Sequence, residues 1–275
     1  MIKLRRANLA RVYKLIIVAL ALYAVYSIVM PLIFYALLEE KQGVTEMILT
    51  FNYGASIVPI QGILILLICP LMYCSEFQNQ TIKNKLVIGH TKSQIYLANF
   101  ITTGIIALAM NAVYLLFFLM IGLPLFGMAT ASANEIIILI IDGTLMSLAY
   151  SAIFTFVSMT SKNSVAALII SIILIIFGVV IACICDEVLI QEPYWIGGSI
   201  NEFGEYVEVK VYNPNMPSKA TQNCCQFILD FLPSGQSFQL ANNQTARWQM
   251  ALYSLGIIGA TTGAGIAIFN KSNIK

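Results

Sequence analysis

Four side chains stand where polar groups are costly. Asp142 interrupts an apolar run at 135–159, about 10 Å along a helix from the Glu135 that opens it. An ionisable group at such a depth costs about 2.5–3.5 kcal/mol or more when isolated in lipid, so it marks either a site for a cationic group or the cap of a polar cluster, here with Thr144 and Ser147. Gln61 and Asn111 are amides inside other apolar runs, and Ser171 is a hydroxyl in a further one. Such groups bond across helices or line a polar path. Gln61, Asn111 and Asp142 are therefore the candidate substrate path. A second set, Glu76, Thr81, Ile82, Lys83, Asn84, Leu86, Gly89 and Lys92, falls in a polar stretch between two apolar runs.

Enzymatic chemistry finds little here. The sequence has one histidine, His90, beside Gly89 and without partners for a metal. It contains no His-Glu-x-x-His zinc site, no Gly-x-Ser-x-Gly elbow and no phosphate loop, so no catalytic residues, metal or bound cofactor are expected. An intramembrane aspartyl enzyme would lack its second aspartate. The six cysteines, Cys69, Cys74, Cys183, Cys185, Cys224 and Cys225, form no disulfide framework, although a bridge from Cys224 or Cys225 to Cys183 or Cys185 stays open.

The elements that must position these residues follow from composition. Of 275 residues, 59% are hydrophobic and 10% charged, against about 45–50% and about 25% in soluble domains. So little charge cannot coat a water-facing surface; the fold expected is all-α integral membrane, and nucleic-acid binding has no support. About 20 apolar helical residues cross a bilayer core. Six stretches qualify, at 15–38, 53–74, 96–121, 135–159, 164–185 and 248–269. The first is too long for a signal-peptide core and is read as retained. Eleven of the fifteen basic residues fall on the side of both termini, which is expected to be cytoplasmic. Residues 1–14 carry five of these bases among apolar residues and read either as a short helix on the inner membrane surface or as a topology anchor only.

Two connecting segments are informative. Residues 81–88 pattern as a short amphipathic helix that Gly89 stops. The 60-residue loop 186–245 falls outside, with an alternating strand pattern at 205–212, a hairpin partner at 194–200, Gly204 in the turn, and an apolar stretch at 224–232 too short to cross. Asn243, Gln244 and Thr245 fit a glycosylation sequon. Gly256, Gly259, Gly263 and Gly265 give the last span a small-residue face, expected to pack within the chain.

The stretch Glu76, Thr81-Ile82-Lys83-Asn84, Leu86, Gly89 and Lys92-Ser93-Gln94-Ile95-Tyr96 resembles the loop between the second and third spans of type-2 ATP-binding-cassette (ABC) transporter permeases. Gln80 stands where that family usually has glycine. The Pro233-Ser-Gly-Gln236 run before the last span is also similar to these permeases. The resemblance implies one permease domain over 1–275 in the plasma membrane of a bacterial cell, with segment 76–92 docking into ATPase subunits. It further implies two separate ATPase subunits that hold ATP and Mg, and a second permease copy or a related chain. An exported amphipathic or antimicrobial peptide or hydrophobic drug is the expected cargo. The competing class is a membrane receptor or immunity protein that binds its ligand at the outer loop and needs no ATPase.

Overall fold

The computed structural model describes residues 2–38, 45–54, 58–128, 131–200, 206–243 and 247–273. Six of its helices are long and apolar enough to cross a membrane. The first, α1 (Ile2–Leu37), is one unbroken helix of 36 residues, about 54 Å long. The basic segment therefore continues the first span and is not a separate surface helix. No glycine or proline lies between the two parts to break them.

The second span begins later than its apolar composition suggests. After α1 a short helix, α2 (Thr45–Thr50), leads through a turn at 51–54 to α3 (Ile60–Gln78), with Pro59 at its start. The apolar run begins at Tyr53, whereas α3 begins only at Ile60. Ile48, Phe51, Asn52 and Tyr53 are buried all the same, and three tyrosines serve their free carbonyls. Tyr23 Oη donates to Asn52 O at 2.8 Å, Tyr26 Oη to Phe51 O at 2.8 Å and Tyr114 Oη to Ile48 O at 2.5 Å. Irregular backbone persists in an apolar setting only when protein groups satisfy it.

A turn carries α3 into α4 (Thr81–Val87), and a second one into α5 (Lys92–Phe117). Thr91 starts α5 with a capping box to Gln94. The helix runs on through a π-helical turn at Phe118–Gly122 into α6 (Leu123–Phe126). Ser132 and Glu135 form a second capping box at the head of α7 (Ala133–Ser161), and Asn163 caps α8 (Ser164–Leu189). Strands β1 (Tyr194–Ile200) and β2 (Tyr206–Tyr212) pair antiparallel, Tyr194 opposite Tyr212 and Ile200 opposite Tyr206. Gly204, expected in the turn, lies outside the described residues, as do Gln244 and Thr245 of the sequon. Two short helices follow, α9 (Lys219–Phe231) and α10 (Pro233–Phe238), then α11 (Trp248–Lys271).

Helix α7 sits at the centre, packed against α3, α5, α8, α10 and α11. The perimeter is apolar: Ile17 and Leu22 of α1, Ile173 and Phe177 of α8, and Leu252 and Leu255 of α11 are all half or more exposed. Lipid is the solvent that accepts such a surface. The Pro-Ser-Gly-Gln turn closes α9 onto α11, because Gln236 Nε2 donates to Asp230 O at 2.7 Å and to Met250 O at 3.1 Å. The small-residue face of α11 corrects the expectation of packing within the chain. Only Gly265 meets a neighbour, Tyr96, whereas a Cβ at Gly256, Gly259 or Gly263 would meet nothing within 4 Å. All six cysteines are free thiols.

Candidate functional site

Glu76 is the centre of the α4 end of the bundle. Its carboxylate is 1% exposed near the end of α3, a position at which an acid needs a partner. Lys85 Nζ of α4 supplies one at 2.6 Å, and Asn99 Nδ2 of α5 lies 3.4 Å from the other oxygen. Thr81 Oγ1 donates to the Glu76 carbonyl at 3.2 Å. One carboxylate thereby joins three helices. Lys85 and Asn99 were not legible as partners, since helical i, i+4 spacing does not carry across the turn at 79–80.

The other residues of the segment divide into two faces. Ile82 is buried and Leu86 packs against the core, so these two hold α4 down. Lys83 is half-buried, and Asn84 is exposed. Val87 is 86% and Ile88 77% exposed, two large apolar side chains at the tip of the segment. Gly89 ends it at φ +99, and Gln80 begins it at φ +52, the left-handed conformation that glycine adopts without strain. Lys92 does not face the tip. Its Nζ lies 2.9 Å from Asn270 O and 2.8 Å from Ser272 O, at the end of α11.

Gln61 and Asn111 come together, but Asp142 bonds elsewhere. Gln61 Nε2 donates to Asn52 Oδ1 at 2.9 Å and to Asn111 Oδ1 at 2.7 Å, and Asn52 Nδ2 donates to Asn111 Oδ1 at 2.7 Å. Tyr23 Oη donates to Asn52 Oδ1 at 2.6 Å, and Ser147 Oγ donates to Gln61 Oε1. None of these five residues is more than 4% exposed. In this conformation the amides form a closed knot that ties α1, the 51–54 turn, α3, α5 and α7 together. Asn52 was missed because it precedes the helix in a segment that reads as part of a span.

Asp142 Oδ2 accepts the Arg247 N–H at 2.9 Å, capping α11 from a different helix. A carboxylate at a helix N-terminus answers both the free N–H groups and the helix dipole. The Arg247 guanidinium reaches Asp230 Oδ2 at 3.4 Å, while Gln239 Nε2 donates to Asp230 Oδ1 at 2.8 Å. Among the described residues no three His, Cys, Asp or Glu side chains converge as metal ligands. An apolar cavity of about 360 Å³ lies between α5 and α7, walled by Leu49, Leu115, Phe118, Leu123, Ile136 and Ile140 among others.

Comparison with known proteins adds the family. The model of a family described as ABC-2 family transporter protein matches residues 1–178, which include the whole α4 site. The chain belongs to that family. As an ABC-2 protein it is a multi-pass membrane permease of an ABC transporter, and such permeases associate with ABC ATPase subunits that carry the hydrolytic site. No curated protein matches the sequence.

Proposed function

We propose that this ABC-2 permease is the membrane-spanning half of an ATP-driven exporter, and that α4 is the surface through which ATPase subunits drive it. The observation that carries this reading is the construction of the α4 end. Glu76, Ile82 and Leu86 fix the helix to the bundle, while Val87 and Ile88 stand almost fully exposed beyond it. A firmly held helix with an apolar tip suits a groove in a partner protein. Thr81, Lys83, Asn84 and Gly89 shape that tip; Glu76 and Lys92 join it to the helices behind. The excess of basic residues at this end supports a cytoplasmic position for α4 and both termini, which places the β-hairpin outside.

The complete transporter would hold two ATPase subunits, with ATP and Mg bound in them, and two permeases, either a second copy or a related chain. The apolar cavity supports a cargo with substantial apolar surface, such as an amphipathic peptide or a hydrophobic drug. Gln61 and Asn111 would reach such a cargo only in a conformation that opens the knot, and Asp142 only in one that releases the Arg247 N–H.

The test is purification of the tagged native protein in mild detergent, with mass spectrometry of bound proteins and an ATPase assay. A stoichiometric ATPase that Val87→Asp or Ile88→Asp releases is the expected result. A single chain that reproducibly carries no ATPase would overturn the proposal and leave the receptor or immunity reading in its place.

A further inference from the structure

Two lysines, one at the head of α5 and one in the turn between α7 and α8, grip the same piece of backbone. Lys92, the first residue of α5, holds Asn270 O and Ser272 O, and Lys162, in the turn between α7 and α8, places Nζ 3.3 Å from Asn273 O. Asn270 Nδ2 adds a bond to Ser93 Oγ at 3.0 Å. The last carbonyls of a helix have no donor within it. Lysine ammoniums supply donors and complement the negative end of the helix dipole.

The side chains just before the tail make this junction hard to pull apart. Gly265 lies so close beneath Tyr96 that a Cβ there would come within 2.1 Å of Tyr96 Oη. The Phe269 ring stands edge-on to Phe77 at 6.1 Å and tilted against Tyr96 at 6.4 Å. The end of α3, the start of α5 and the tail of α11 are thus packed as one unit. At its other end α11 is capped by Arg247, bound to Asp142 through its N–H and to Asp230 through its guanidinium. The 24 residues between span about 36 Å.

We propose that Lys92 and Lys162 are positioning residues that fasten the tail of α11 to the α4–α5 and α7–α8 turns. Displacement of α4 is then delivered through α11 to the Arg247–Asp230 contact at the hairpin end. A rigid helix anchored at both ends is the kind of element that carries such coupling. The inference rests on the permease reading and adds to it the route by which the α4 end reaches the opposite end.

The experiment is hydrogen exchange on the purified permease–ATPase complex with Mg-ATP and with Mg-ADP, read at 233–250 and normalised to bound ATPase. The wild type is expected to show a nucleotide-dependent difference there. Lys92→Met/Lys162→Met should lose it, and Lys92→Arg/Lys162→Arg should restore it, whereas a merely structural role would lower thermal stability and leave the difference in place. A Met pair that keeps the wild-type difference, or a wild-type complex that shows none, overturns the inference while leaving the permease reading intact. Where the Met pair does not accumulate, an oxidised Ser93→Cys/Asn270→Cys cross-link replaces it: the difference must survive the bond, and its loss overturns the inference. A wild-type preparation without ATPase ends both, and is seen before any variant is made.

Discussion

Glu76 bonds to two helices at once, so its neutral variant separates charge from shape. Glu76→Gln keeps the hydrogen-bonding outline but removes the ion pair with Lys85, whose side chain is 12% exposed. A hydrogen bond to a charged group contributes about 1.5–3 kcal/mol, and residues in one network do not add independently. Glu76→Gln and Lys85→Met should therefore each lower the thermal midpoint of the detergent-solubilised protein, and the double variant should lose less than the sum. Strict additivity would show that the pair contributes nothing jointly. The turn residues at either end of α4 allow a cleaner test. At Gln80, φ is +52, a conformation that costs an L-residue about 1–2 kcal/mol, whereas glycine gives back about 0.5–1 kcal/mol through the unfolded chain. Gln80→Gly should raise the midpoint and Gln80→Val should lower it. Gly89→Ala meets no atom within 4 Å at φ +99, so any loss there, about 1–2 kcal/mol, is conformational and not steric.

The helices differ in how closely they approach, and glycine substitutions measure that. A Cβ at Gly143 would fall 2.2 Å from the Tyr53 ring and one at Gly265 would fall 2.1 Å from Tyr96 Oη, whereas Gly259 faces open space. Gly143→Ala and Gly265→Ala should cost about 1–3 kcal/mol by overpacking. Gly259→Ala should be neutral or gain up to about 1 kcal/mol in helix propensity within the single chain. Thermal midpoints of the three variants decide this, and a large loss at Gly259 would reveal a partner on that face. The same contrast shows what could be read in advance. The six spans were legible because apolar length is a property of composition, and the stop at Gly89 is a local signal. What was not legible depends on distant contacts. Residues 53–59 are as apolar as a span, yet Pro59 delays the helix and Tyr23, Tyr26 and Tyr114 hold the irregular backbone before it. Gly265 was grouped with Gly259 on one small-residue face, yet six residues at about 100° each set the two about 120° apart, so the helical period itself separates the glycine that meets Tyr96 from the one that faces open space. Glu76 could be singled out by type and position, but Lys85 became its partner only through the fold of the turn.

At the scale of the whole molecule, one bundle end carries both termini, α4 and the α7–α8 turn, and the other carries the hairpin and α9. ATP is cytoplasmic, so the α4 end can meet an ATPase only if it faces inward. Eleven of the fifteen lysines and arginines lie at that end, and the bias of basic residues toward the cytoplasm sets orientation. Three exposed positions test this directly: Ile88 at the α4 tip, Asn273 after α11 and Lys210 on β2. Native Cys224 is exposed on the hairpin side and is first replaced by serine. In intact cells a membrane-impermeant thiol reagent should label Lys210→Cys and spare Ile88→Cys and Asn273→Cys, all three becoming reactive once the membrane is opened. The reverse pattern would put Val87 and Ile88 out of reach of any ATPase, leaving their exposure to be explained by an extracellular partner. Labelling of all three in intact cells would require an odd number of crossings between Lys210 and Asn273 to be abandoned, although α11 is the long apolar helix between them. Orientation therefore decides whether the Glu76 clamp can serve ATP-driven transport at all.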